Sequence, residues 1–563
     1  NMLNDFINKS RVAYFSMEIA LHENLPTYSG GLGVLAGDSM LSAADLDLPM
    51  VGVTLVSREG YFRQHLDLHG RQTESPETWE PSEHATRLHV KTSIHLDGED
   101  VWIGAWLYEL NGHMNGTIPI LLLDTYLDEN TPENQKLTHY LYGGDSRYRL
   151  KQGAILGIGG KRILQSLGFS VFRYHMNEGH AALLVPELLK QFPFRSDDVK
   201  AGEFPFDLPR VRDLCCFTTH TPIGAGHDSF GYDLVEDVIG AEIEVTILKK
   251  MAGDESLNLT RLALNGSQYV NGVAKKHADV SREMFPGYRI HAITNGIHPH
   301  RWVCPQLAEL FDEYLPGWCH EPELLRNVDV IPCDQLWEAH QTAKTQLINH
   351  INQTQNVLLE NDLAVLGFAR RMTSYKRVDL LFTNIDTLKQ IAARYPFQIV
   401  LGGKAHPNDL DGKHLIQQLH ILSESLRGDI PVVFLENYDI RQAKLLVAGS
   451  DIWLNTPLRP FEASGTSGMK AAINGVANLS VMDGWWIEGC VEGQTGWAIG
   501  GVSESENGND ALSLYQKLEC DALPMYYERR SDWVKMMKIC IQKNGTFFNS
   551  HRMMRRYVCE AYL

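Results

Sequence analysis

Short apolar runs, each followed by a glycine-rich or basic turn and then by residues at helical spacing, recur along this chain. Arg11-Val-Ala-Tyr-Phe-Ser16 predicts a strand, Tyr28-Ser-Gly-Gly-Leu-Gly33 a turn, and the residues through Asp45 a helix. Leu363-Ala-Val-Leu-Gly-Phe-Ala369 predicts a second strand. It runs into the basic turn Arg370-Arg-Met-Thr-Ser-Tyr-Lys-Arg377 and then Val378-Asp-Leu-Leu-Phe. A third unit begins with Pro431-Val-Val-Phe-Leu-Glu-Asn-Tyr438. It continues through a helix over Ile440 to Ala448, a buried strand in Asp451-Ile-Trp-Leu-Asn-Thr-Pro457, and the loop Glu462-Ala-Ser-Gly-Thr-Ser-Gly-Met-Lys470. Gln335 to Asn352 has the alternating faces of a helix, and Trp533 to Cys540 and Met553 to Cys559 read as helical. Apolar strands alternating with helices predict parallel sheets covered on both faces, with ligand sites at the carboxyl ends of the strands. The expected fold is α/β, with two doubly wound, Rossmann-like domains facing across a cleft. The boundary is placed near Thr294-Asn-Gly296, giving domains 1–294 and 295–563, with a C-terminal helix returning to the first.

The length of 563 residues fits two large cores better than one. Hydrophobic residues at 44% and charged residues at 21% match a globular protein in water. No apolar run reaches the roughly 18 residues of a membrane helix, and the start has no signal-peptide pattern. Nine scattered cysteines read as reduced thiols in a cytoplasmic protein. A net charge of −18 without a basic tract argues against nucleic acid and anionic membrane as partners. A neutral polysaccharide needs no long-range charge attraction and fits.

Two segments carry candidate chemistry. The Lys470 loop is made of small residues entering a helix, an arrangement that offers backbone N–H groups to an anion. The lysine at its inner end suits either a phosphate or an aldehyde cofactor held as a Schiff base. The basic turn gathers Arg370, Arg371, Lys376 and Arg377 after a strand. Helix starts favour acids, so these cations suit phosphate better than capping.

From Arg11 to about Gly500 the chain resembles the α-glucan phosphorylases, in particular their short bacterial and archaeal branch, whose layout is the GT-B architecture. The resemblance rests on Ser29-Gly-Gly-Leu-Gly33, Asn177-Glu-Gly-His180, Thr219-His-Thr221, Thr294-Asn-Gly-Ile-His-Pro-His-Arg-Trp302, Arg371-Met-Thr-Ser-Tyr-Lys376, Phe434-Leu-Glu-Asn-Tyr438, the Lys470 loop and Asp483-Gly-Trp-Trp-Ile-Glu488. It implies pyridoxal 5'-phosphate bound as a Schiff base to Lys470, with Gly465, Thr466, Ser467, Tyr438, Trp302, Arg370 and Lys376 around the cofactor. It implies catalytic roles for Lys470, Arg371, Lys376 and His220. Substrate contacts would come from Gly30, Gly31, Asp145, Glu178, His180, His220, Asn295, Glu462, Ser464 and Gly465. Residues 1–294 would bind glucan and residues 295–563 the cofactor. The implied reaction is reversible, retaining phosphorolysis of α-1,4-glucan (glycogen, starch or maltodextrin) to α-glucose 1-phosphate and a shortened glucan. Larger members carry an N-terminal extension before the equivalent of Tyr14, so control by phosphorylation or AMP is expected to be weak. Ser146 stands where the family has asparagine, and Ser467-Gly468 replaces Gly-Asn. Homo-oligomers are common in the family.

Structural readings compete at several positions. Glu178 and His180 equally suit the start of a helix over Ala181 to Lys190. Trp485-Trp486 suits core or sugar stacking, and Gly157-Ile-Gly-Gly160 suits helix packing better than a dinucleotide loop. His298 and His300 have metal-like spacing, but no further Cys/His motif completes a site, so no metal is expected. The rival functions are a nucleotide-sugar-dependent GT-B glucan synthase without pyridoxal phosphate and an inactive glucan-binding scaffold.

Overall fold

Two twisted sheets take up the long apolar runs of the chain. A computed structural model describes residues 1–563, the Ala225 side chain excepted. The first sheet has nine strands: β1 (Val12–Ser16), β2 (Met50–Leu55), β3 (Thr86–Leu96), β4 (Glu99–Asn111), β5 (Thr117–Asp124), β6 (Arg173–Asn177), β7 (Cys215–Thr218), β8 (Tyr269–Gly272) and β9 (His291–Ala292). Their spatial order is β9-β8-β7-β6-β1-β2-β5-β4-β3. All neighbours pair parallel except the antiparallel meander β5-β4-β3 at one edge. β1 and β2 are buried at every position, as expected for strands covered on both faces.

The second sheet has six parallel strands: β10 (Ala364–Ala369), β11 (Phe397–Gly402), β12 (Val432–Leu435), β13 (Ile452–Asn455), β14 (Ala477–Val481) and β15 (Gly496–Ile499). The order β12-β11-β10-β13-β14-β15 reverses direction between β10 and β13. That reversal is the switch point at which doubly wound sheets bind ligands. The basic turn follows β10 and the Lys470 loop follows β13, so topology brings them to one crevice.

Five helices matter for the site and its supports: α1 (Gly31–Asp45), α2 (Cys333–Thr354), α3 (Ile440–Gly449), α4 (Ser467–Ile473) and α5 (Ser550–Tyr557). α5 lies against α1 in the first half of the chain, and its Met553, Met554 and Tyr557 share a core with Tyr14, Met40 and Ile120. The segment after Glu178 is a single 3-10 turn, Gly179–Ala181, and the helix itself is shorter than expected, Leu184–Leu189. Gly157 and Gly160 lie in close helix packing against Leu184 and Phe15. Trp485 and Trp486 are buried in the second core, which decides for packing over sugar stacking. No helix among the described residues is long and apolar enough to cross a membrane.

Candidate active site

α4 begins just after Thr466, and its fourth residue, Lys470, is buried. Small residues are required here. A Cβ on Gly468 would lie 2.4 Å from Asn478 Oδ1 and 2.8 Å from the Trp485 ring, so α4 approaches β14 more closely than any side chain permits. Lys470 Nζ sits 4.1 Å from the centre of the Trp302 ring. Burial pushes its pKa down to about 8, with Asp38 only partly opposing the shift. A lysine in that state carries a substantial neutral fraction near physiological pH, which a nucleophilic amine requires. Trp302 is fixed in turn by its indole N–H, which donates to Asp38 Oδ2 at 2.8 Å.

Arg370 and Lys376 converge on Glu462, at 2.6 Å and 3.1 Å. Burial opposes ionisation of Glu462, but these two cations outweigh it and hold its carboxyl below the ordinary range. Arg370 also bonds Asn455 at the end of β13. Asp483 accepts from the Glu462 backbone N–H at 2.9 Å, and burial next to Glu462 pushes its pKa up to about 7. Among the described residues Glu462 is the one carboxylate ion-paired with Arg370 and Lys376. Arg371, accessible at the crevice wall, has no ion pair among the described residues. Desolvation opposes its charge, yet Tyr375, Tyr61 and Glu18 keep its guanidinium charged. The cluster therefore carries excess positive charge. Ser464 Oγ, two residues from Glu462, and Asn295 Oδ1 are buried without hydrogen-bond partners, as expected where a polar group is to bind.

The first half of the chain supplies the facing wall. Glu18 accepts from Ser29 Oγ at 2.5 Å and from the N–H groups of Gly30 and Gly33 at 3.3 and 2.6 Å, fixing the turn at the start of α1. A Cβ on Gly30 or Gly31 would meet nothing within 4 Å, so both border open space. Glu178, at φ 75°, accepts from the His220 N–H and the Thr221 hydroxyl. Its carboxylate braces the His220 loop. His220 Nε2 lies 2.6 Å from Asn177 Oδ1, and desolvation lowers its pKa to about 4, so the ring is neutral and Nε2 carries the hydrogen. His180 faces Tyr142 with ring centres 5.3 Å apart and lies 3.8 Å from Asp228. Tyr438 packs against Gly402, near Tyr28 of the glycine turn. Asp145 stands apart: it is exposed and its carboxylate caps the helix Ser146–Ala154. A crevice of about 280 Å³ between the halves, lined by Tyr61, Glu74, Tyr140, Tyr142 and His406, adjoins this wall.

The family model for carbohydrate phosphorylases matches residues 239–507. The maltodextrin phosphorylase of Thermococcus litoralis is 37% identical, across 98% of this chain and 70% of its own length. The chain belongs to the carbohydrate phosphorylase family. The glycogen phosphorylase of Aquifex aeolicus is 34% identical over 98% of this chain and 86% of its own, and an uncharacterised protein of Methanocaldococcus jannaschii is 30% identical over 98% and 99%.

Within this family member, several residues that hold the site were not singled out from sequence: Glu18, Asp38, Asn177, Asn455 and Asp483. One signal was available for Glu18. A single acid inside the apolar run Phe15-Ser-Met-Glu-Ile-Ala-Leu21 has to find partners when buried.

Proposed function

We propose that this family member cleaves α-1,4-glucan with inorganic phosphate, reversibly and with retention, giving α-glucose 1-phosphate and a shortened glucan. Residues 1–294 form the glucan-binding half and residues 295–563 the cofactor-binding half. Pyridoxal 5'-phosphate fits the crevice: Lys470 offers a partly neutral amine over Trp302, Ser464 and Asn295 offer unpartnered polar atoms, and the cations await a phosphate. When bound, the cofactor supplies a phosphate group that takes up and returns a proton. The observation that carries the reading is the charge imbalance: of the three cations Arg370, Arg371 and Lys376, two share one ion-paired carboxylate, Glu462, and Arg371 has no ion pair among the described residues.

Two phosphates repel each other, so bringing them together requires surplus cations that are already in position. Arg371 and Lys376 perform that task. A hydrolase of the same bond usually relies on two carboxylates flanking it. Here both Glu462 and Glu178 are tied up in ion pairs or backbone hydrogen bonds. Neutral His220 offers a hydrogen-bonding ring to the sugar without adding charge. The crevice between the halves has to exclude water, or hydrolysis would compete. Incubation of purified protein with maltodextrin and phosphate should release glucose 1-phosphate. Borohydride reduction followed by peptide mapping should place the pyridoxyl label on Lys470. Free glucose as the product, or a label on another lysine, refutes the reading.

A further inference from the structure

The hairpin between β4 and β5 turns at Gly112-His-Met-Asn-Gly116, and its tip reaches the segment that carries Trp302. There His113 stacks on His300, with ring centres 3.4 Å apart and planes 21° apart. His300 lies in the one-turn helix Pro299–Trp302. Cys319 approaches from the turn after helix Pro305–Tyr314. One donor atom from each of His113, His300 and Cys319 lies within 4.8 Å of the others. The two histidines are exposed and the thiol is buried, so the cluster has a solvent side and a protein side. The sequence spacing pairs His300 with His298 and offers no further ligand. In the fold the two histidines diverge. His298 donates to Asp45, while His300 meets partners from distant parts of the chain.

We propose that His113, His300 and Cys319 bind a divalent transition ion of the zinc class, with a fourth position open to solvent. Two imidazole nitrogens and one thiolate form a mixed N/S donor set that suits zinc, and three protein ligands plus water is a normal zinc shell. The backbone is prepared for it. A Cβ on Gly112 would lie 2.3 Å from Asp45 Oδ1, and the Met114 N–H donates to that same oxygen at 3.1 Å. The hairpin tip is thereby seated on the end of α1, which fixes where His113 stands. Behind Cys319, Trp318 stacks towards His300 and donates its indole N–H to Asp312 at 2.8 Å, fixing that turn as well. Such outer contacts orient ligands before the ion arrives.

Binding a divalent ion must release the Cys319 thiol proton. The buried trio Asp45, His298 and His551 is less suited to an ion. His298 accepts from the Arg301 N–H through Nδ1 and donates its Nε2–H to Asp45, so neither nitrogen is free. An ion on His113, His300 and Cys319 would clasp the edge of the first sheet to the segment carrying Trp302.

The test uses chelator-treated holoprotein titrated with Co2+ and, separately, Zn2+. One Co2+ per chain should bind with thiolate-to-metal absorption in the near ultraviolet, and Zn2+ should displace it. Cys319→Ser should lose that absorption. His113→Asn, at an exposed position where folding is not at stake, should weaken binding by more than about tenfold, the scale of even an outer partner's loss. Zn2+ should raise Tm in the unaltered protein and not in Cys319→Ser. A triple variant with serine at the exposed Cys333, Cys520 and Cys559 should behave like the parent. Absence of thiolate absorption, unchanged affinity in His113→Asn, or loss of binding in the triple variant would each overturn the assignment.

Discussion

Lys470 is buried without an ion pair, and this desolvation, against the partial opposition of Asp38, gives it amine character. Aldehyde capture needs the neutral form, whose fraction rises as pH passes about 8. Uptake of pyridoxal phosphate by the cofactor-free protein should therefore accelerate from neutral to mildly alkaline pH and then level off. A flat profile would contradict it. Lys470→Ala should lose both cofactor and turnover. Arg371→Ala should retain the cofactor and lose activity by ~10²-fold or more, the scale of one lost charge-stabilising donor; near-normal rates at saturating phosphate would remove it from the chemistry. Lys470, Arg371 and Lys376 stand out in the sequence as candidates because cations and glycines in those loops have few other uses. Glu462 was named from the resemblance as a substrate contact, and the fold pairs it with Arg370 and Lys376. Asp38 was not legible, because it lies within an ordinary helix pattern. What each carboxylate does depends on what the fold places against it.

At the scale of elements, the strands and the long helix α2 were legible from apolar runs and periodicity, whereas the basic turn was legible only as chemistry. In the fold it becomes two short 3-10 segments, Ser374–Lys376 and Val378–Phe382, joined at Arg377 with φ 46°. A regular helix start would have set four cations against its own dipole. The packing of α2 hides a further buried charge group that the sequence did not reveal. Asp451, just before β13, accepts from Lys344 Nζ at 2.7 Å, His340 Nε2 at 2.8 Å and the Val365 N–H at 2.8 Å. It fastens α2 to β10 and β13 at once. Burial opposes its ionisation, but Lys344 and then His340 hold its pKa down to about 2. An unfolded aspartate titrates near about 3.9. The depressed value means that this stabilisation is complete above about pH 4 to 5 and is lost as pH falls towards 2. Asp451→Asn leaves Lys344 buried without its counter-charge and should cost about 3–5 kcal/mol, read as a lowered denaturant midpoint. The loss should shrink in acid, where the native carboxylate is itself protonated. An unchanged midpoint near neutrality would show that the pair only offsets its own desolvation.

At the scale of the molecule, the two-sheet architecture followed from the repeated strand–turn–helix units, but strand order and the meander at the edge of the first sheet did not. Nothing local to β3 or β4 says which edge they join. The C-terminal helix α5 was expected to be helical from its pattern, and its contacts lie with the first half of the chain. Ser550 and His551 meet Ser42 of α1 at 2.5 and 2.9 Å. The Tyr557 hydroxyl lies 3.0 Å from Asn271 Nδ2, and the Tyr562 hydroxyl 2.7 Å from His175 Nδ1. Met553, Met554, Tyr557, Ala561 and Tyr562 complete a core whose other members come mostly from the first sheet, α1 and the loops between them. Each large side chain among them is worth about 1.5–3 kcal/mol of burial, so together they rival the whole stability of a typical domain, roughly 5–15 kcal/mol. A chain ending at Asn549 should therefore keep the second sheet folded while the first melts at a lower temperature. The test is calorimetry of the truncated and full-length proteins. The truncated chain should show an early transition that the full-length protein lacks, and Tyr562→Phe should move in the same direction by less. If the truncated protein melts in one transition at the parental temperature, the tail is a passenger on the first half and the shared core contributes little to holding the halves together.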